Sequence, residues 1–126
     1  MKIEVGEYVR TKDGKIGIFD RYSLRKENSL YKSPFNCFIK IRNRKTPLQC
    51  CEDYIVKHSK ELIDLIEVGD IVRIRTGLYS SFMEFIDNEE CLLILKEQVK
   101  KFWTIEEILT REEFEANCYK VGGENG

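Results

Sequence analysis

Apolar and polar residues alternate in two short segments near the start of the chain, with a turn signal between them. Residues 8–11 read Tyr-Val-Arg-Thr, residues 12–15 read Lys-Asp-Gly-Lys, and residues 16–19 read Ile-Gly-Ile-Phe. Alternation on both sides of a glycine-containing turn is the pattern of a β-hairpin. Residues 71–77 begin the same pattern again, which predicts a second hairpin.

These two hairpin signals belong to an internal repeat. Residues 3–14 read IEVGEYVRTKDG and residues 66–77 read IEVGDIVRIRTG, so the second copy starts 63 positions after the first. Gly6 and Gly69 precede the first strand of each copy, where a positive φ angle would favour glycine. A period of this length is about the size of a minimal folding unit, and it predicts two copies of one small fold.

Each copy continues with an apolar segment that starts at a cysteine. Residues 37–41 and 91–95 are predicted strands, and residues 87–90 are the predicted turn before the second of them. Each copy then ends in a short predicted helix. The first helix begins at Ser59 as its capping residue, and the second has Thr110 and Glu113 at the spacing of a capping box.

Several short strands closed by one helical turn are typical of a small β-barrel of the Src-homology-3-like kind. The sequence therefore predicts a mostly β protein with two short helices, built as tandem small β-barrels. The first barrel is expected at residues 1–65, with a long basic loop at 21–36, and the second, acidic barrel at residues 66–126. Because no flexible linker separates the copies, we expect them to pack as one rigid unit.

The composition is that of a chain that can bury its own core. Of the 126 residues, 42% are hydrophobic and 11% are aromatic. No apolar run has the length of a signal peptide or a membrane span, which predicts a cytoplasmic protein. The five cysteines include no CxxC pair, so we expect reduced thiols rather than a disulfide framework or a zinc site. Of the adjacent Cys50 and Cys51, one is expected in the core and one at the surface.

The residue types that carry most enzyme chemistry are scarce or poorly spaced. His58 is the single histidine, and no third group is available to orient it toward Cys50 or Cys51. Acidic pairs such as Glu112 and Glu113 are adjacent in sequence, so they do not face each other as a general acid and base would. We therefore predict a non-enzyme with no catalytic residues, no metal site and no cofactor.

Three blocks of the chain carry a resemblance to known proteins: KHSKELIDLIEVGDIV at residues 57–72, ILTREEFEANCYKV at residues 108–121, and IEVGEYVRTKDGKIG at residues 3–17. Together they resemble the small accessory proteins of unknown role from phages and prophages of low-GC Gram-positive bacteria. The resemblance implies an origin in a phage accessory locus, where counter-defence proteins are often encoded. It implies no catalytic residues.

Charge is distributed unevenly along the chain. Residues 1–45 hold 12 basic and 5 acidic residues, a balance of +7, whereas residues 46–126 hold 9 basic and 17 acidic residues, a balance of −8. Such asymmetry affects electrostatic steering and partner choice. The two halves are therefore expected to face different partners.

The basic half contains a candidate nucleic-acid surface. The loop at residues 21–36 has no counterpart of its length in the second copy, and long loops often bind partners. Basic residues alternate with others over residues 39–44, which predicts three cations on one strand face. Cations beside stacking rings suit nucleic acid, although an outward strand face is normally charged in any case. The candidates here are Arg25, Lys26, Tyr31, Lys40, Arg42 and Arg44.

The acidic half contains a candidate protein-binding surface. Carboxylates at suitable spacing imitate phosphates, so an acidic protein can occupy a groove made for DNA or RNA. An exposed aromatic ring surrounded by charge is often the centre of a protein interface, and a core position is the alternative for the same ring. The candidates here are Trp103, Glu112 and Glu113.

Three functions follow from these patterns. We favour a non-enzymatic phage accessory protein that binds and inhibits a host protein, such as a nucleic-acid-guided or nucleotide-signalled defence component, as anti-CRISPR inhibitors do. The first alternative is a nucleic-acid-binding module that uses the basic lobe. The second is a sponge for a nucleotide signal, with Arg10, Arg73 or Arg75 holding phosphate. The sequence leaves the oligomeric state open.

Overall fold

The computed structural model describes residues 2–23, 36–78 and 80–117. The chain divides between Ile66 and Glu67 into two compact units. Each unit is built on one antiparallel sheet, and the described residues are mostly β with two α-helices. Neither of these helices is long and apolar enough to span a bilayer.

The first unit is a five-stranded sheet with the strand order β4-β3-β2-β1-β5. Its strands are β1 (Tyr8–Thr11), β2 (Ile16–Tyr22), β3 (Cys37–Ile41), β4 (Leu48–Cys50) and β5 (Ile55–Ser59). Two short 3-10 turns, Glu52–Tyr54 and Leu62–Leu65, precede and follow β5. The predicted hairpin at residues 8–19 is confirmed as the β1–β2 pair.

The core of the first unit lies on one face of this sheet. Its buried members are Ile3, Val9, Phe19, Cys37, Ile39, Cys50 and Ile55. Tyr22 ties the start of the chain to this core, because its hydroxyl accepts a hydrogen bond from the Ile3 N–H at 2.9 Å and donates one to Glu52 Oε2 at 2.8 Å. The Tyr22 ring also meets the ring of Phe19 edge to face, with 4.8 Å between the ring centroids.

The second unit is a three-stranded sheet with the strand order β7-β6-β8. Its strands are β6 (Ile71–Arg75), β7 (Ser81–Phe85) and β8 (Thr104–Leu109), and its helices are α1 (Glu89–Lys101) and α2 (Arg111–Asn117). Strand β8 pairs with β6 as β5 pairs with β1, and a short helical element follows each of them. The second copy therefore keeps the central hairpin and the returning strand of the first.

The predicted strand at residues 91–95 is wrong, since these residues lie in α1. The Asn88 side chain caps this helix by accepting a hydrogen bond from the Cys91 N–H at 2.9 Å. Leu92 and Leu95 are buried at helical spacing. Acidic residues in the first turn and lysines in the last turn complement the helix dipole, so local signals as well as burial favour the helix.

The two copies of the sequence repeat have matching turns at their glycines. Gly6 has φ +93° and Gly69 has φ +99°. In both copies the residue after the glycine donates its N–H to the carbonyl three residues back, at 3.1 Å, which is the geometry of a type II turn. The acidic side chain at that position, Glu7 or Asp70, accepts the N–H of Glu4 or Glu67 in turn, at 2.7 and 2.8 Å.

The prediction of two closed barrels is not confirmed. Within the described residues neither sheet closes, because β4 and β5 remain the edges of the first sheet, and β7 and β8 those of the second. In the described part of the second unit the sheet also has no counterparts of β3 and β4, since α1 occupies residues 89–101.

The predicted helix at residues 59–64 is displaced. Ser59 is the last residue of β5, and the 3-10 turn spans Leu62–Leu65. The Ser59 hydroxyl still serves this segment, because it accepts from the Glu61 N–H at 3.1 Å and donates to Asp64 Oδ2 at 2.6 Å. At the second helix, the Thr110 hydroxyl accepts from the Glu113 N–H at 3.2 Å, as the capping pattern predicts.

Candidate protein-interaction surface

Three of the predicted binding residues, Arg25, Lys26 and Tyr31, lie outside the described residues.

The predicted row of three cations on one strand face is wrong. Strand β3 ends at Ile41, and the chain reverses there through a turn in which the Arg44 N–H donates to the Ile41 carbonyl at 3.1 Å. Of the three cations, Lys40 alone lies in the strand, and Arg42 and Arg44 lie in the turn.

The reversal depends on Asn43, which has φ +66°. Asparagine tolerates this left-handed conformation better than most residues, so the turn has a clear local signal. The alternating pattern at residues 39–44 belongs to a strand end followed by a turn. The exposed cations Lys40, Arg42 and Arg44 consequently do not share one sheet face.

The outer side of β2 and β3 is an internally paired network of charges. Asp20 accepts a hydrogen bond from Arg21, and its Oδ1 lies 3.6 Å from the Lys40 Nζ. The Arg21 guanidinium also lies over the Phe38 ring, 4.3 Å from its centroid. Two of the basic side chains on this surface are thus engaged by the protein itself.

Trp103 is half-buried between α1 and β8. Its ring packs edge to face against Phe82, with 5.3 Å between the centroids and 83° between the planes. Its neighbour Phe102 is 75% exposed. Of this adjacent pair, Phe102 is therefore the ring that projects into solvent.

Glu112 and Glu113 lie in the first turn of α2, where negative charge complements the helix dipole. Both are half-buried. Glu112 Oε2 lies 3.3 Å from the Arg111 Nη2, and Glu113 Oε2 lies 3.4 Å from the Asn117 Nδ2. Both have structural partners, and their proposed role in binding stays a prediction.

The structure reveals a surface that the sequence prediction missed, the outer face of the second sheet. On the inner face, Val72 and Ile74 of β6 are fully buried. On the outer face, Ile71 stands directly between Phe85 of β7 and Leu109 of β8. Phe85 is 55% exposed and Leu109 is 40% exposed, so an apolar row crosses all three strands in contact with solvent.

A second cross-strand row lies beside the first. In it, Arg73 stands between Met83 and Glu107. Met83 is 60% exposed, and the Arg73 Nη1 lies 3.5 Å from Glu107 Oε1. We call these two rows together the open face; its members are Ile71, Arg73, Met83, Phe85, Glu107 and Leu109.

The sequence of β7 carried a signal for the open face. Residues 81–85 read Ser-Phe-Met-Glu-Phe, so apolar side chains fall on both faces of the strand. A strand covered on one side normally alternates apolar with polar residues. The lack of alternation in β7 therefore indicates that its solvent-facing side also carries apolar side chains.

Asp13 and His58 of the first unit both interact with other side chains of the protein. Burial works to raise the pKa of Asp13, but hydrogen bonds from Lys15, Thr11 and Tyr54 outweigh it and lower this pKa to about 2. The His58 Nδ1 lies 3.1 Å from Glu7 Oε2, so His58 pairs with the acid of the first glycine turn. These groups stabilise the β1–β2 turn and the β1–β5 pair.

The thiols are buried to different degrees. Cys37 and Cys50 face each other across β3 and β4, and both are buried. Burial raises the pKa of Cys37 to about 11, which suppresses the reactive thiolate. Cys51 is half-buried, in agreement with the prediction of one core and one surface thiol. The described residues contain no group of three or more His, Cys, Asp or Glu side chains placed to hold a metal ion.

Arg10 is not available to hold a phosphate. It is 1% exposed, and its Nη1 donates to the Leu65 carbonyl at 2.9 Å. Its counterpart Arg73 is exposed. The equivalent arginines of the two copies therefore have different environments.

Comparison with family models, with curated proteins and with solved structures finds no match for this chain.

Proposed function

We propose that this chain acts by binding another protein through the open face of its second sheet, without catalysis. The observation that supports the proposal is the apolar row formed by Phe85, Ile71 and Leu109 beside Met83. Single exposed apolar residues are normal on any protein surface. A contiguous apolar row with a polar border is instead characteristic of a binding site.

The charges on the open face suit an interface as well. Arg73 and Glu107 are each about half exposed at 44% and 50%, and they lie next to the apolar row. Arginine is enriched at protein interfaces because it can stack, pack and donate several hydrogen bonds. The acidic balance of residues 46–126 would favour a partner with a basic surface.

The proposed partner is a host protein. The sequence resemblance to phage accessory proteins supports a counter-defence role, in which the chain works in the host cytoplasm and inhibits a defence component in the manner of an anti-CRISPR inhibitor. Inhibition would follow from occupation of a surface that the host protein needs. No catalytic group on this chain is required for that outcome.

We further propose that the first unit is related to the Src-homology-3-like small barrels. The strand order β4-β3-β2-β1-β5 and the 3-10 turn between β4 and β5 support this relationship. The second unit would then be a diverged copy in which α1 replaces the middle strands. In this account the divergence leaves the outer face of the second sheet available to a partner.

The test is an affinity capture from the lysate of a low-GC Gram-positive host, treated with nuclease. Wild type is compared with Phe85→Ser on the open face and with Leu93→Ser on α1 as a matched control, since Leu93 is 62% exposed. The proposal expects a host protein that wild type and Leu93→Ser retain and Phe85→Ser loses. Equal retention by all three proteins would contradict it.

A nucleic-acid-binding function is the second candidate. The observation in its favour is the group of exposed basic residues at the end of β3 and in the β3–β4 connection, namely Lys40, Arg42, Arg44 and Lys45. Binding there would weaken steeply as salt rises, because each phosphate contact releases counterions. Titration of a labelled oligonucleotide at several salt concentrations, with Arg44→Glu against wild type, tests this candidate.

A further inference from the structure

The duplication places an arginine at the same position on the outer face of both sheets. Val9 and Val72 are fully buried on the inner faces of β1 and β6. Arg10 and Arg73 follow them in the sequence and therefore lie on the outer faces. Each arginine stands opposite an apolar residue on the other strand of its hairpin. Arg10 pairs with Ile16, and Arg73 pairs with Met83.

In the first unit this arginine lies beneath a short helical turn. Arg10 donates to the carbonyl of Leu65, the last residue of the Leu62–Leu65 turn. Ile63 and Leu65 of that turn are buried. A buried guanidinium must have acceptors for its N–H groups, and the last carbonyls of a helical turn lack partners within the turn. The turn therefore supplies a hydrogen-bond acceptor to Arg10, and its own apolar side chains are buried.

In the second unit the corresponding face lies open to solvent. The Arg73 side chain is 44% exposed, and Met83 and Phe85 beside it are 60% and 55% exposed. The helical element that follows β8 is α2, and none of its residues is buried. Among the described residues, no counterpart of the Leu62–Leu65 turn covers Arg73.

We propose that the open face binds a short helical turn of the partner protein, placed as the Leu62–Leu65 turn is placed on Arg10. The bound turn presents apolar side chains to Met83, Phe85 and Leu109. A carbonyl at its C-terminal end accepts hydrogen bonds from Arg73. This inference rests on the proposed function, because it specifies the chemistry of the segment that the open face recognises.

The apolar and polar parts of this site have separate roles. Apolar burial contributes most of the affinity, since Phe85 and Met83 both have large areas to remove from water. Arg73 fixes the direction of the bound turn, because a helical turn offers free carbonyls at its C-terminal end alone. A bound segment of the same composition without a helical turn would leave Arg73 without this acceptor.

The chain itself supplies a probe. A peptide with the sequence of residues 60–66, Lys-Glu-Leu-Ile-Asp-Leu-Ile, reproduces the turn that covers Arg10. It is titrated into the full-length protein up to about 2 mM, a range suited to a short peptide, and followed by amide chemical shifts. The protein's own turn stays in place, because an intramolecular segment has a high effective concentration.

The expected result is a set of shifts at residues 71–73, 83–85 and 107–109. Arg73→Ala should weaken peptide binding by about tenfold or more, as the loss of a hydrogen bond from a charged donor does. Arg75→Ala is the matched control, since Arg75 is also exposed on β6 but stands opposite Ser81 and Thr104. It should change the affinity by less than about twofold.

Three outcomes would overturn the inference. Shifts that avoid the open face would do so, as would equal losses from Arg73→Ala and Arg75→Ala. Concentration-dependent shifts of the open face without peptide, with a dimer in sedimentation, would show that a second copy is the occupant instead. If Phe85→Ser still loses the captured host protein while the peptide leaves the open face unperturbed, the inference fails and the proposed function stands.

Discussion

The carboxylate of Asp70 accepts a hydrogen bond from the backbone N–H of Arg111 at 2.9 Å. The other oxygen of Asp70 accepts the N–H of Glu67 at 2.8 Å, within the glycine turn that starts the second copy. Asp70 is fully buried. One side chain thus fixes the turn before β6 and the start of α2, at the end of the second sheet where Ile71 pairs with Leu109.

We predict that Asp70→Ala destabilises the protein by about 2–3 kcal/mol, because it leaves two backbone donors without their acceptor. The measurement is urea unfolding followed by circular dichroism. Asp87→Ala is the control, since Asp87 is exposed before α1. A loss for Asp70→Ala no larger than for Asp87→Ala would contradict the role of Asp70.

Asp13, the acid of the β1–β2 turn, should make stability depend on pH. Asp13 has a pKa of about 2 in the folded protein against an ordinary value of 3.8 for an aspartate side chain. A lowered pKa stabilises the folded state at pH values above the pKa of the same group in the unfolded chain. This contribution disappears as pH falls from about 4 to about 2. Because the carboxylate is 40% exposed, solvent screening limits the effect to about 1 kcal/mol.

Comparison of wild type with Asp13→Asn by urea unfolding at several pH values measures this contribution. The stability difference between the two proteins should be present at pH 6 and should shrink toward pH 2. A difference that stays constant over this range would show that the charge of Asp13 does not stabilise the turn.

Gly17 marks a close approach of β2 to β3. A Cβ atom at Gly17 would lie 2.5 Å from the Ile39 Cγ2 and 2.6 Å from the Lys40 carbonyl oxygen. Because a backbone atom must then move, Gly17→Ala should destabilise the protein by about 1–3 kcal/mol. Gly77→Ala is the matched control, with nothing within 4 Å of the added atom. Equal thermal midpoints for the two variants would disprove the close approach.

The sequence predicted those parts of the fold that local signals determine. The hairpin at residues 8–19 and the turns at Gly6 and Gly69 were predicted correctly, because tight turns require particular residues at particular positions. Residues 91–95 were assigned to a strand because a short apolar run is compatible with either structure. The cap at Asn88 and the spacing of Leu92 and Leu95 were the signals that favoured the helix.

The binding surface was harder to predict because it depends on contacts between distant strands. Phe85, Ile71 and Leu109 become neighbours through the pairing of β6 with both β7 and β8, which single-strand patterns do not specify. The predicted row of cations was wrong for a local reason, because β3 ends before Arg42 and the chain turns at Asn43. The role of Trp103 in binding stays a prediction; its neighbour Phe102 carries the larger exposure.

The cysteines should differ in reactivity as they differ in burial. With a pKa of about 11, Cys37 holds roughly 0.1% thiolate at pH 8. Burial raises the pKa of Cys50 as well. Among the four described cysteines, alkylation with iodoacetamide, located by mass spectrometry, should modify the half-buried Cys51 and Cys91 first and Cys37 last. If Cys37 were modified as fast as Cys51, the core of the first unit would have to open readily.

The most direct test of the open face is a site-specific photo-cross-link in the host. A photoreactive amino acid replaces Met83 on the open face in one protein and Leu93 on α1 in another, two positions exposed to nearly the same extent, 60% and 62%. Our account predicts one covalent adduct with a host protein from position 83 and none from position 93. The same adduct in equal yield from both positions, or an adduct from position 93 alone, would contradict it.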